Sequence, residues 1–330
     1  MYQINSSFYT DTPELEASRA GFGRGLKKAG ELDERVVAMS ADLAESTQVH
    51  IFADAFPSRF VEIGIAEQNM ACVAAGMARA GKIPFATSFA AFSPGRNWEQ
   101  IKTTACLNEL PVKIIGSHSG LTDGPDGGTH QITEDIAITR VLPRMVVIAP
   151  GDSLEAEKAT LAMARDDRPN YLRLAREKTP VFSTPDSPFE IGKAYVLREG
   201  TDVTLIGTGT MTHQCLTAAK LLETQGVSAE VVHVPTIKPL DTQTIIDSIK
   251  KTGRAVSVEE AQIIGGMGGA IAELLCEQMP APLKRLGMDG VFGQSGSYAE
   301  LLEHYGLDAK SIAQKTAEFI KKAPQYKPGY

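Results

Sequence analysis

Cysteine, tryptophan, basic charge and long apolar runs are all scarce in this sequence, and each scarcity removes a class of protein. The four cysteines stand at 72, 106, 215 and 276. None forms a Cys-x-x-Cys pair, so neither a zinc site nor a thioredoxin-type redox pair is indicated. Cys72, Cys106 and Cys276 fall in apolar helical stretches and are expected to be small core residues. No apolar run approaches the roughly 18 residues of a membrane span. The opening "MYQINSSFYTDTPELEAS" lacks a basic segment followed by an apolar one, which argues against a signal peptide. The expectation is a cytoplasmic protein with no membrane partner. With 33 Lys+Arg against 40 Asp+Glu, the net charge of −7 also argues against a nucleic-acid partner, which needs a basic face.

What is present is ordinary globular material: 330 residues, 43% hydrophobic and 22% charged. That length predicts two domains. "TPELEASRAGFGRGLKKAG" reads as a helix with Thr12 as cap, Pro13 at the first helical position and lysines near the end. "RVVAMSAD" follows as a strand. "FVEIGIAEQNM" is a strand breaking into the Ala-rich helix "AEQNMACVAAGMARAG", apolar on most sides and expected to be buried. "IPFATSFA", "PVKIIGSH", "MVVIAP" and "NYLRLAR" continue as strands separated by helical segments. Short, uniformly apolar strands alternating with helices indicate an α/β fold with a mostly parallel sheet. The stretch 177–190 carries three prolines and no periodicity and reads as a linker. Beyond it "DVTLIGTG", "SAEVVHV" and "AVSVEEA" start a second alternation. The expected domains are 1–185 and 186–330, each a mostly parallel sheet flanked by helices.

Ligands of open parallel sheets sit at the carboxyl ends of the strands. The unusual residues gather there: Asp42 and Ser46 after one strand, Glu67 after another, Phe89 and Phe92 after a third. His118 to His130 follow a fourth, and Arg176 ends the last. Glu67 is costly where a buried strand turns into a buried helix, unless a partner or a function requires it. "SHSGLTDGPDGGTHQ" (117–131) holds four glycines and a proline, so its backbone can approach a ligand closely. His118, Asp123, Asp126 and His130 within it fit a polyol or phosphate site, a metal site of no standard spacing, or a solvated loop. Phe89 and Phe92 taken alone read as core. Arg19 and Arg176 are either surface ion pairs or a phosphate fork. "GTGT" (207–210) and "GGMGG" (265–269) do not complete Gly-x-Gly-x-x-Gly and read as tight turns.

Taken together, "FVEIGIAEQNM", "SHSGLTDGPDGGTHQ" with "EDIAITR", "MVVIAPGDSLEA" and "TIKPLD" resemble transketolase. The resemblance covers nearly the whole chain and lies in the pyrimidine-binding and C-terminal domains. The Gly-Asp-Gly and paired Asn that hold the cofactor's diphosphate and metal in full transketolases are missing. The chain therefore resembles the C-terminal subunit of a split transketolase. That implies thiamine diphosphate as cofactor, with Mg2+ or Ca2+ held by a separate N-terminal subunit. It also implies an α2β2 assembly and transfer of a two-carbon ketol unit between sugar phosphates.

The resemblance also implies roles. Glu67 would hydrogen-bond a ring nitrogen of the aminopyrimidine and favour its imino tautomer. Phe89 and Phe92 would line the pyrimidine pocket, with Asp42 near the cofactor. Arg19, Ser46, His118 and Arg176 would bind the terminal phosphate of the sugar, and Asp126 and His130 its hydroxyls. His118 and His130 are the candidate proton carriers. The family often has a tyrosine three positions after the second phenylalanine, where this chain has Gly95. "GIAEQ" also resembles deoxyxylulose-phosphate synthase. A 2-oxo acid dehydrogenase β-type subunit, which likewise lacks the metal-holding domain, and a non-catalytic relative that kept the fold compete with the transketolase reading.

Overall fold

The computed structural model describes residues 2–323 and 325–326. Uniformly apolar segments form strands buried on both faces. Val36–Ser40, Lys113–Ser117 and Val146–Ile148 are buried at every position, as a helix-covered parallel sheet demands. The first sheet has seven strands, in the spatial order Thr236–Lys238, Val146–Ile148, Asn170–Arg173, Lys113–Ser117, Ile83–Phe89, Val36–Ser40, Phe60–Glu62. All run parallel except the outermost, Thr236–Lys238, which is antiparallel to Val146–Ile148. The second sheet has five strands, in the order Leu283–Met288, Ala255–Gln262, Val203–Gly207, Ala229–His233, Tyr195–Arg198. Only its last strand is antiparallel. Two α/β domains with mostly parallel sheets are thus present. No described helix is long and apolar enough to cross a membrane.

Several boundaries differ from the sequence reading. The first helix spans Ser18–Leu32 and does not start at Pro13. Leu15–Ala17 instead pairs antiparallel with Lys178–Pro180, a long-range pairing that overrides the local cap signal. The same ribbon corrects the start of the linker expected at 177–190. Val181 and Phe182 are fully buried there, and the Phe182 ring meets Tyr2, Phe8 and His233. Cys106 and Cys215 are buried, whereas Cys72 and Cys276 are exposed. The helix Glu67–Arg79 buries Met70, Ala71, Ala74, Ala75 and Ala78 but turns Gln68, Cys72 and Gly76 outward. Its outer face is small and weakly polar, so composition conceals it. The "GGMGG" segment is a helix start: Met267–Gln278 is helical, and the Met267 and Gly268 amides donate to the buried Glu259 carboxylate at 2.6 and 2.8 Å.

The two domains share a dense polar joint. Besides the donated strand Thr236–Lys238, the Gly209 amide donates to the Ala149 carbonyl at 3.1 Å. His233 Nε2 lies 2.6 Å from Glu155 Oε2, both buried. Arg173, 6% exposed at its side chain, pairs with the fully buried Asp135. Asp135 Oδ2 accepts from Arg173 Nε at 2.8 Å and from the Tyr171 hydroxyl at 2.7 Å. Arg173 Nη2 crosses the joint to the Glu260 carbonyl at 2.7 Å. Removing one member of a buried pair strands the other charge, at about 3–5 kcal/mol. Asp135→Ala is therefore expected to lower unfolding stability by about 3–5 kcal/mol in urea denaturation. A change well below 1 kcal/mol would contradict this account of the joint.

Candidate active site

Glu67 is the first residue of its helix, where the macrodipole favours a negative side chain. It is 1% exposed. Arg96 Nη1 donates to Glu67 Oε2 at 2.8 Å, Ser88 Oγ lies 3.4 Å from Oε1, and Asn97 Nδ2 donates to the Glu67 carbonyl at 3.0 Å. The Arg96 guanidinium also covers the Phe92 ring, 4.7 Å from its centroid. Its side chain is 47% exposed, so the buried carboxylate has a partner that a ligand can displace without emptying the core. Sequence reasoning missed Arg96. The available signal was an isolated cation between Lys82 and Lys102, in a segment otherwise aromatic and small. Gly95 does not leave room for the tyrosine common in the family: a Cβ there would lie 2.1 Å from the Ala91 carbonyl oxygen.

The aromatic residues run from Glu67 toward a group of cations. Phe89 and Phe92 are stacked with centroids 6.3 Å apart. His118 stacks on Phe89 at 3.8 Å, and His130 meets the Phe92 ring edge-on at 5.4 Å. Both phenylalanines are half-buried, so neither is plain core. His118 has a left-handed backbone, φ 59°, is 3% exposed, and its Nδ1 lies 2.9 Å from Ser117 Oγ. Burial, then the nearby Arg19 and Arg176 guanidiniums, push its pKa down to about 3, so the imidazole is neutral at physiological pH.

Arg19, from the first helix, donates to the Ser46 carbonyl at 2.5 Å. Among the described residues it has no carboxylate partner. Burial, and then repulsion from the Arg176 guanidinium, lower its pKa. Arg176 Nη1 donates to the Asp123 carbonyl at 2.8 Å and lies 3.4 Å from Asp123 Oδ1. Asp123 is fully buried and its Oδ2 has no partner. Burial, with Asp126 alongside, raises its pKa to about 6. Asp126 is exposed and His130 half-buried, both at the rim of this cluster. Ten of the eleven sequence candidates, Asp123 among them, thus form a connected run. Asp42 is the exception: exposed, with φ 61°, it holds the Glu62 carboxylate through its backbone amide at 2.8 Å.

Chemically, the run offers a buried carboxylate and stacked aromatics at one end and two guanidiniums with a neutral imidazole at the other. The first suits the edge and face of a flat nitrogenous ring, the second an oxyanion. The depressed His118 pKa makes a prediction. An unfolded histidine takes up a proton near pH 6.5 and the folded one only near 3, so this group costs stability progressively as pH falls through that window. In NMR titration the His118 ring should stay neutral to below about pH 4, and inorganic phosphate at the guanidiniums should raise its midpoint. An ordinary midpoint near 6.5 without phosphate would contradict the geometry.

Comparison with known proteins agrees with this architecture. Residues 16–181 match the transketolase pyrimidine-binding domain and residues 192–312 the transketolase C-terminal domain. A chain from Methanocaldococcus jannaschii described as a transketolase C-terminal section is 44% identical over 307 residues, covering 92% of this chain and 96% of that one. The 6-deoxy-6-sulfo-D-fructose transketolase subunit of a Clostridium species is 41% identical, covering 90% of this chain and 92% of its own length. A solved split-gene transketolase, an inactive β4 tetramer, superposes with a TM-score of 0.87 at 40% identity, covering 93% of this chain and 99% of that one. Transketolases as a family use thiamine diphosphate and a divalent metal. With both domains matched in order and these three relatives spanned almost end to end, the chain belongs to the transketolase family and corresponds to the C-terminal subunits of its split members.

Proposed function

We propose that this chain, with an N-terminal partner subunit, forms a thiamine-diphosphate-dependent transketolase that moves a two-carbon ketol unit from a ketose phosphate to an aldose phosphate. The observation that carries this reading is the unbroken run from Glu67 through Arg96, Phe92 and Phe89 to His118, Arg19 and Arg176. When bound, the cofactor supplies the carbon nucleophile that cleaves the ketose between its second and third carbons. Glu67 offers its buried carboxyl to a ring nitrogen of the aminopyrimidine, and Arg96 yields its bond to make way. Phe89 and Phe92 orient the ring and keep water from it.

Arg19, Arg176, His118 and Ser46 grip the terminal phosphate of the sugar, a dianion suited to paired guanidiniums. Asp126 and His130 hold hydroxyls near the reacting carbons, and His130 and His118 handle protons there. Relatives described as a transketolase C-terminal section and a transketolase subunit support a partner subunit, which would hold the metal and diphosphate in an α2β2 assembly. We set the domain boundary near residue 185 and the pair in the cytoplasm.

Two substitutions test this with the partner subunit present. Glu67→Ala should fold normally, by circular dichroism, and cut kcat by about 10²–10⁴-fold, the usual worth of a positioned acid–base group. Near-parental turnover would sink the assignment. Arg176→Ala removes a charge-assisted bond of roughly 1.5–3 kcal/mol, so KM for phosphorylated donors should rise about 10–100-fold while unphosphorylated donors barely change. Equal effects on both would remove the phosphate role.

A further inference from the structure

Every residue assigned above lies between Arg19 and Arg176, in the first domain, which leaves the second domain without a part in the site. The loop 118–133 shows what that part is. At its start the Leu121 amide donates to Glu260 Oε1 from the second sheet. Gly120, at φ 66°, passes so close that a Cβ would meet Glu260 Oε1 at 2.4 Å. In its middle, Gln131 Nε2 donates to the Gly124 carbonyl at 3.0 Å and to the Gln294 carbonyl of the second domain at 3.1 Å. Gly128 lies so near Gly293 that a Cβ would be 2.7 Å from the Gly293 carbonyl oxygen. At its end the Gln262 amide donates to the Thr133 carbonyl at 2.7 Å.

Glu260 is itself held. It is 1% exposed, and its Oε2 accepts from Thr210 Oγ1 and from the Tyr298 hydroxyl, each at 2.8 Å. Its carbonyl accepts from Arg173. A carboxylate buried this deeply, in a residue fixed by four donors, is a rigid fixture. None of its donors belongs to the proposed chemistry.

We propose that Glu260 is a positioning residue, and that the second domain acts on the reaction by clamping the loop carrying His118, Asp126 and His130 at three points. Loosening the clamp displaces the groups that hold the sugar and leaves Glu67, Phe89 and Phe92 in place. This rests on the transketolase reading for its catalytic consequence, but the clamp itself is testable without activity.

The test is amide hydrogen exchange of the purified chain, followed by kinetics with the partner subunit. Gly128→Ala drives a methyl into the Gly293 carbonyl from an exposed position, and Glu260→Ala removes the fixture. Glu260→Gln keeps an acceptor for Leu121 and can donate to the two hydroxyls. In the Gly128→Ala and Glu260→Ala variants, peptides covering 118–133 should exchange at least about tenfold faster while the strands of both sheets keep their protection, as local opening requires. Glu260→Gln should restore near-parental exchange. In the assembled enzyme, KM for a phosphorylated ketose should rise about tenfold or more with the affinity for thiamine diphosphate unchanged. Unaltered exchange in 118–133, or acceleration spread evenly over the chain, overturns the clamp. Failure of the parental pair to transfer ketol units would instead sink the functional reading and leave the exchange result standing.

Discussion

One guanidinium carries the heaviest responsibility in this molecule. Arg173 sits at the end of a central strand of the first sheet, almost without water, and faces Asp135 of its own domain and the Glu260 carbonyl of the other. Burying such a group is tolerable only when its donors are taken up, and taking them up requires both domains in one fixed arrangement. The strand Thr236–Lys238 and the Glu155–His233 contact reinforce the same arrangement. The loop 118–133 at the carboxyl ends of the first sheet is tied to that joint through Glu260.

Within the cleft, charge is sorted by position. The carboxylate of Glu67 stands at one end, with the part-exposed Arg96 as its neighbour. The cations Arg19 and Arg176 stand at the other, only loosely balanced by Asp123. Stacked aromatic rings separate the ends.

Much of this is legible in the residues. Continuous apolar strands indicate the parallel sheets, and the placement of rare polar residues after those strands indicates the cleft. The glycine-rich loop 117–131 announces a close backbone approach, and what its four glycines approach is chiefly the second domain, at Glu260, Gly296, Ser295 and Gly293. Three kinds of information are not legible. Pairings between distant segments, such as Leu15–Ala17 with Lys178–Pro180, override local caps and linkers without local warning. The outer face of an Ala-rich helix is only weakly polar, which is why the sequence hides the exposure of Cys72. Side-chain partners such as Arg96 for Glu67 depend on how a turn folds back, and a turn's chemistry is only partly local. The family resemblance supplies roles; it does not supply Arg96, Glu260 or the exposed setting of Asp42.

The borrowed edge strand has a consequence for how the protein comes apart. Thr236–Lys238 completes the first sheet, yet its chain neighbours are the strand Ala229–His233 and the helix Thr242–Thr252, which belong to the second. Neither half can melt without uncovering the flank of the other, so the two sheets share a single cooperative fate and heat should dismantle them together.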